Sequence, residues 1–201
     1  MWPPAVTSYD NQAIFTGSAA VVPGAGPNGA SGVVQIYPGL CDKADWPACT
    51  TGTLLAQAIP ADYTNDELLV NWTKPSYNPI MEGTERDPSS PWKTSFGEWR
   101  LRTYNSMVYG AASDQDLLNG NWYTIGQSAD LRQCECPSLY PLPPLTPAFA
   151  DVELTNADPL PTHVHKTSCS GDWWQLGTYT EAAPVYNLTI TFIRSTMYFS
   201  E

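Results

Sequence analysis

No convincing stretch of this chain keeps apolar residues at the three-and-four spacing of an amphipathic helix. They come instead in short or alternating runs, at 19–22, 33–37, 54–59, 99–104, 107–111, 173–179 and 188–193. Each run is bounded by Gly, Pro, Asn or Asp, which is how strands and turns are written in sequence. Nineteen prolines and fourteen glycines supply that punctuation, and eleven Tyr and eight Trp suit a pleated surface. The chain is therefore expected to be all-β. Only 64–69, with Asn-Asp-Glu-Leu-Leu, has room for one helical turn.

The connections carry further information. Residues 24–32 (Gly-Ala-Gly-Pro-Asn-Gly-Ala-Ser-Gly) read as a hairpin loop, because neither a helix pattern nor Lys-Ser/Thr follows the glycines. Residues 137–147 read as a proline-rich connection. Strand-like patterning resumes after both, so a single domain over 1–201 is expected. An internal echo links Gly97-Glu98-Trp99 before Thr103-Tyr104 to Gly171-Asp172-Trp173 before Thr178-Tyr179. A turn feeding an aromatic strand at such an interval fits radial repetition of small sheets, with a sandwich as the alternative.

Composition narrows the partners. With nine Lys plus Arg the net charge is −11, a surface that repels phosphate backbones and anionic membranes. Nucleic acid and membrane are therefore not expected as partners, and a neutral ligand fits. No apolar run approaches the roughly 20 residues of a membrane span, and Met1-Trp2-Pro3-Pro4 lacks the basic and apolar regions of a secretory signal. Two glycosylation sequons nevertheless occur, at Asn71-Trp72-Thr73 and Asn187-Leu188-Thr189. Of five cysteines, Cys41 and Cys49 flank a loop-like segment, where a local disulfide or two free thiols are both open readings. At least one of Cys134, Cys136 and Cys169 must stay unpaired, and the absence of Cys-x-x-Cys argues against zinc.

Two carboxylates are candidates for chemistry. Asp87, in Arg86-Asp87-Pro88, is biased by the following proline to an extended backbone, and Arg86 is placed to hold it ionised. Glu135 lies between Cys134 and Cys136, thiols that would desolvate its carboxyl and raise its pKa as a general acid requires. On their own neighbours alone, the plainer readings lead: a surface Asp-Pro turn for Asp87 and a solvent-facing strand end for Glu135. Asp10 reads as a turn residue. His163 and His165 share one face of a strand, but no third metal ligand is evident, so no metal and no cofactor are expected. No Gly-x-Ser-x-Gly elbow occurs, and Trp173-Trp174 reads as core.

Taken in order, these pieces resemble glycoside hydrolase family 32, the invertases, inulinases and fructosyltransferases. Tyr9-Asp10-Asn11 with Phe15-Thr16-Gly17-Ser18 resembles the family's Tyr-Asp segment and its Trp/Phe-Ser/Thr-Gly-Ser motif. Tyr37-Pro38-Gly39 resembles Tyr-Thr-Gly, and Trp72 and Lys74 with Asn78-Pro79-Ile80 resemble Trp-x-Lys…Asn-Pro-Ile/Val. Arg86-Asp87-Pro88-Ser89-Ser90-Pro91-Trp92 resembles Arg-Asp-Pro-Thr-Thr-Ala-Trp, and Glu135-Cys136-Pro137 the Glu-Cys-Pro signature. His163-Val164-His165-Lys166-Thr167-Ser168 and Leu176-Gly177-Thr178-Tyr179 are similar to later strands.

The resemblance implies a five-bladed β-propeller, here a partial one without the β-sandwich domain that follows in the family. It implies a retaining β-fructofuranosidase mechanism on sucrose or fructans, in an extracellular or vacuolar compartment. Glu135 is then the acid/base, Asp87 the transition-state stabiliser and Arg86 a support of the pocket. Phe15 and Ser18 line the fructose site. Retention needs two carboxyls about 5 Å apart, one protonated and one ionised.

The sequence also departs from the pattern. The nucleophile motif Asn-Asp-Pro-Asn-Gly is absent, and Cys134, Ser138-Leu139 and Glu85 stand where the family has Trp, Asp-Phe and Phe. Residues 41–52 look inserted. The expectation is an internal portion of such an enzyme, inactive alone, with a divergent non-catalytic sugar-binding relative as the alternative. An incomplete propeller leaves strand edges open, so self-association through them is expected.

Overall fold

The computed structural model describes residues 9–49, 53–62, 65–83, 86–127, 134–142, 161–177 and 179, with the backbone of 197–200. The strands form three successive antiparallel sheets. The first joins β1 (Ala13–Ile14) and β2 (Ser18–Val22) to one side of β3 (Gly32–Leu40). β4 (Thr53–Pro60) pairs the other side, and β5 (Trp72–Thr73) and β6 (Met81–Glu82) pair β4 in turn. The second runs in chain order through β7 (Trp92–Lys93), β8 (Trp99–Arg102), β9 (Met107–Ala111) and β10 (Tyr123–Gln127). The third does the same through β11 (Glu135–Pro141), β12 (His163–Ser168), β13 (Asp172–Gly177) and β14 (Met197–Ser200). All-β architecture is thus borne out, as are six of the seven expected runs; 188–193 lies outside the described residues.

Period-two alternation explains how the sheets stack. In β3 and β4, Val34, Ile36 and Leu55 face one core, which they share with Trp99 and Leu101 of β8 and Tyr109 and Ala111 of β9. The opposite face carries Tyr37, Leu54, Ala56 and Ala58 into a second cluster, sealed by the Cys41–Cys49 disulfide. In β8 all four residues are buried: Trp99 and Leu101 meet the first sheet, and Arg100 and Arg102 reach residues of the third. Val108, Ile125, Leu139 and Tyr179 complete the apolar contact between second and third sheets. The disulfide reading for Cys41 and Cys49 therefore holds, Cys134 pairs Cys169, and Cys136 is the free thiol.

The internal echo corresponds to two hairpins. Gly97 (φ +92°) and Gly171 (φ +149°) take positive-φ positions that side chains disfavour, just ahead of β8 and β13. The 24–32 segment is likewise the β2–β3 hairpin connection.

Two expectations are corrected. A helix does exist, α1 (Asp114–Leu118), started by Ser113, whose Oγ accepts the Asp116 amide, with Asp114 and Asp116 in the first turn. Five residues with one buried side chain, Leu117, leave no periodicity to read. The segment 137–147 is not wholly a connection, because β11 continues to Pro141. β11 is at the edge of its sheet and its register shifts between Glu135 and Ser138, conditions under which a strand tolerates proline. At 66–69 the chain makes a turn, with the Leu69 amide donating to the Asp66 carbonyl at 2.9 Å.

Candidate functional site

The segment bearing Arg86 and Asp87 lies beside the end of β8. The Tyr104 amide donates to the Arg86 carbonyl at 3.0 Å, and the Ser89 amide to the Arg102 carbonyl at 2.8 Å. The buried Ser89 hydroxyl accepts the Arg102 amide at 2.9 Å, and the Ser18 hydroxyl donates to the Ser89 carbonyl at 2.8 Å. Hydrogen bonds thus tie β2 of the first sheet to the Asp87 segment and to β8 of the second. The Arg86 guanidinium lies 4.3 Å from the centre of the Tyr104 ring, a cation–π placement that fixes its direction.

From there Arg86 reaches the third sheet. Its Nη2 donates to Glu135 Oε1 at 2.9 Å, and the Cys136 amide donates to Asp87 Oδ2 at 3.1 Å. Two pairs of consecutive residues, 49 positions apart, are thereby clasped together. The structure brings Arg86, Asp87 and Glu135 into one group.

Its details correct three local expectations. Glu135 is not desolvated: its side chain is 59% exposed and ion-paired, and Cys134 is held in a disulfide rather than offering a thiol. Arg86 pairs with Glu135 and not with Asp87. Asp87 is not extended but left-handed, at φ +53°; Asp adopts that conformation more readily than most residues, and its carboxylate is engaged by the Cys136 amide. Cys136, also left-handed at φ +49°, has a thiol pKa pushed up by partial burial and then by the Asp87 carboxylate.

Phe15 and Ser18 lie on the rim of a cleft of about 390 Å³, together with Ile14, Gly17, Ala19, Gln35 and Tyr37. Arg86, Asp87 and Glu135 do not line it; Ser18 alone belongs both to the cleft and to the chain of hydrogen bonds. Gly17 has no space for a side chain, since a Cβ would lie 2.3 Å from the Ile36 carbonyl oxygen.

Sequence reasoning missed what supports this cleft. Asp10 does sit in a turn, but it is buried, its carboxylate 2.5 Å from Lys74 Nζ and 3.1 Å from the Tyr37 hydroxyl that donates to it. Desolvation, reinforced by Tyr9 and the Asp10 carboxylate, drives the Tyr37 hydroxyl far above its ordinary pKa, so it stays a donor. Nothing in the spacing joins Asp10 to Lys74, 64 positions away.

The two histidines have separate surroundings. His163 packs edge-on to Tyr179, with ring centres 4.9 Å apart, and pairs with the Thr162 hydroxyl. His165 is buried against Arg102, its Nδ1 3.0 Å from Gln175 Oε1. Among the described residues no three His, Cys, Asp or Glu side chains converge as metal ligands would.

No protein-family model matches the chain. Among curated proteins it is similar to acid β-fructofuranosidase 2, vacuolar, of a Rosa hybrid cultivar, with 28% identity over 192 residues, covering 86% of this chain and 27% of that protein. It is similar to the acid β-fructofuranosidase of Phaseolus vulgaris at 28% over 194 residues, covering 86% and 27%. An insoluble β-fructofuranosidase isoenzyme of Arabidopsis thaliana is 28% identical over 202 residues, covering 92% of this chain and 34% of its own length. The chain spans about a quarter to a third of the length of these relatives. The resemblance to glycoside hydrolase family 32 read from the ordered motifs is borne out by this similarity, which runs over most of the chain.

Proposed function

We propose that this chain is the portion of a β-fructofuranosidase-type glycoside hydrolase that supplies the acid/base and the stabilising carboxylate. The observation that carries the reading is the clasp of Arg86 and Asp87 onto Glu135 and Cys136. Glu135 is the acid/base, Asp87 holds fructose hydroxyls and steadies the transition state, and Arg86 orients Glu135. Phe15 and Ser18 contact the fructose ring from the neighbouring cleft. The three sheets are three blades of a five-bladed propeller, with 1–201 one incomplete catalytic domain. Sucrose or a fructan is the substrate, and the compartment is vacuolar or extracellular, in keeping with the two sequons.

A retaining glycosidase also needs a carboxylate nucleophile, since without one no glycosyl-enzyme bond forms. Asn-Asp-Pro-Asn-Gly does not occur in residues 1–201. The chain by itself is therefore expected to bind fructosides without cleaving them. An exposed, ion-paired Glu135 also suits the second reading, a divergent relative that binds sugar and catalyses nothing.

Calorimetry with fructose, sucrose and inulin tests the shared pocket. Binding that Asp87→Ala abolishes is expected, and no binding by the wild-type chain overturns the site. Sucrose turnover by the lone chain that is lost in Glu135→Gln would refute its inactivity and the non-catalytic reading, while supporting Glu135 as the acid/base.

A further inference from the structure

We propose that Arg102 and His165 are positioning residues for the two carboxylates: the buried contact between them, lying behind the clasp, fixes how far Asp87 stands from Glu135. What that spacing serves rests on the hydrolase reading. That it is set at this contact does not.

The clasp cannot hold itself. The Arg86 and Glu135 side chains are 39% and 59% exposed, and an ion pair so open to water adds little and is screened by salt. Arg102 and His165 are 0% and 1% exposed. With no solvent to receive either polar group, each stays where its partner stands.

The contact has a defined direction. The Gln175 side-chain oxygen lies 3.0 Å from His165 Nδ1, so that nitrogen carries the proton and Nε2 keeps the lone pair. Arg102 Nη1 donates to Nε2, and Arg102 Nη2 donates to the Ser106 hydroxyl at 2.7 Å. Ser106 is itself buried in the β8–β9 turn, where its amide donates to the Thr103 carbonyl at 3.0 Å. The guanidinium is thus gripped from both sides.

Both ends of the contact lead to the site. The Arg102 backbone is joined twice to Ser89, two residues after Asp87. On the other side His165 faces Leu139 of β11, and Ser168 of the same strand faces Glu135. Asp87 is therefore carried by the second sheet and Glu135 by the third, with Arg102 and His165 joining the two. Arg100 makes a further buried contact, but with Tyr179, which is bonded to Thr162 at the opposite end of β12 from Glu135.

The Cys136 thiol reports the spacing without any sugar. Partial burial first, and the Asp87 carboxylate second, push its pKa up; Lys166 lowers it, and Glu135 and Asp172 raise it further. The other four cysteines are in disulfides. The rate of alkylation by iodoacetamide, followed from neutral to alkaline pH on the full chain, gives the midpoint of this thiol. Arg102→Met removes the guanidinium and keeps the stem and both backbone bonds to Ser89. Its midpoint should fall as Asp87 leaves Cys136, and Asp87→Asn should lower the midpoint as well. Arg102→Met/Asp87→Asn should match Asp87→Asn alone, a non-additivity that general loosening would not produce. A midpoint that does not fall in Arg102→Met, or that falls equally in both backgrounds, overturns the positioning role. If Arg102→Met does not fold, Arg102→Lys is judged by the same outcomes, because its shorter ammonium cannot span His165 and Ser106.

Calorimetry with fructose separates this inference from the reading it serves. Binding weakened in Arg102→Met is expected, and undiminished binding beside a shifted midpoint overturns the link to sugar. No binding by the wild-type chain overturns the hydrolase site, and the thiol midpoints then decide the contact alone.

Discussion

His165 should make the fold lose stability as the medium turns acidic, well before its exposed carboxylates protonate. The ring is 1% exposed, against the Arg102 guanidinium and Gln175, with Ser106 bonded to the far side of Arg102. Desolvation first, and the Arg102 charge second, hold its pKa down at about 3, against 6.5 when unfolded. A depressed histidine keeps the folded state from taking a proton that the unfolded state accepts. Its contribution is therefore neutral above pH 6.5 and becomes destabilising as pH falls from 6.5 toward 3. At about 1.4 kcal/mol per pH unit, the drop from 6.5 to 5 costs about 2 kcal/mol, a large share of a domain's stability. Urea unfolding at pH 7, 6 and 5 measures this slope. His165→Gln keeps a polar group against Arg102 and removes the titration, so its stability should be nearly flat over that window even if it is lower at pH 7. If His165→Gln keeps the wild-type slope, the buried ring is not the cause and the reasoning fails.

Two further outcomes follow from packing. Lys74→Met strands the buried Asp10 carboxylate and should cost about 3–5 kcal/mol, most of it recovered in Asp10→Asn/Lys74→Met; a loss under about 1 kcal/mol by thermal or urea unfolding would mean the pair behaves as a surface one. Gly110→Ala puts a Cβ 2.8 Å from Glu98 Oε1 and 2.9 Å from both Ile125 Cδ1 and Tyr123 Cζ, and should cost about 1–3 kcal/mol by the same measurements, with a neutral result showing that the β8–β10 face has slack.

Strand positions were legible because burial alternates with the chain: Ala20 and Val22 in β2, and Val34 and Ile36 in β3, lie in the core as period two requires. Where polar residues occupy inward positions the same rule went silent. Arg100 and Arg102 look like surface residues in composition, yet both are fully buried, Arg100 against Glu98 and Tyr179 and Arg102 against His165 and Ser106. The candidate site was legible as motifs but not as geometry. Order along the chain predicted that Asp87 and Glu135 work together. It could not foresee that Arg86 bonds the glutamate rather than its neighbour, because that choice is set by Tyr104 and by the pairing of Cys136 with Asp87. The Asp10–Lys74 pair had no local trace at all, since each residue's partner is fixed only once β3 and β4 bring the first sheet together.

Each of the three sheets pairs strands that are neighbours or near-neighbours in sequence, with no connection longer than residues 142–162, so each can assemble before the sheets dock. The site cannot. Ser18 meets Ser89 across 71 residues and Arg86 meets Glu135 across 49, joining one sheet to the next. The clasp therefore reports on docking between sheets rather than on the sheets themselves. A lesion at either sheet–sheet contact should abolish the proposed sugar binding while leaving strand content intact, so circular dichroism and calorimetry on one such variant should disagree.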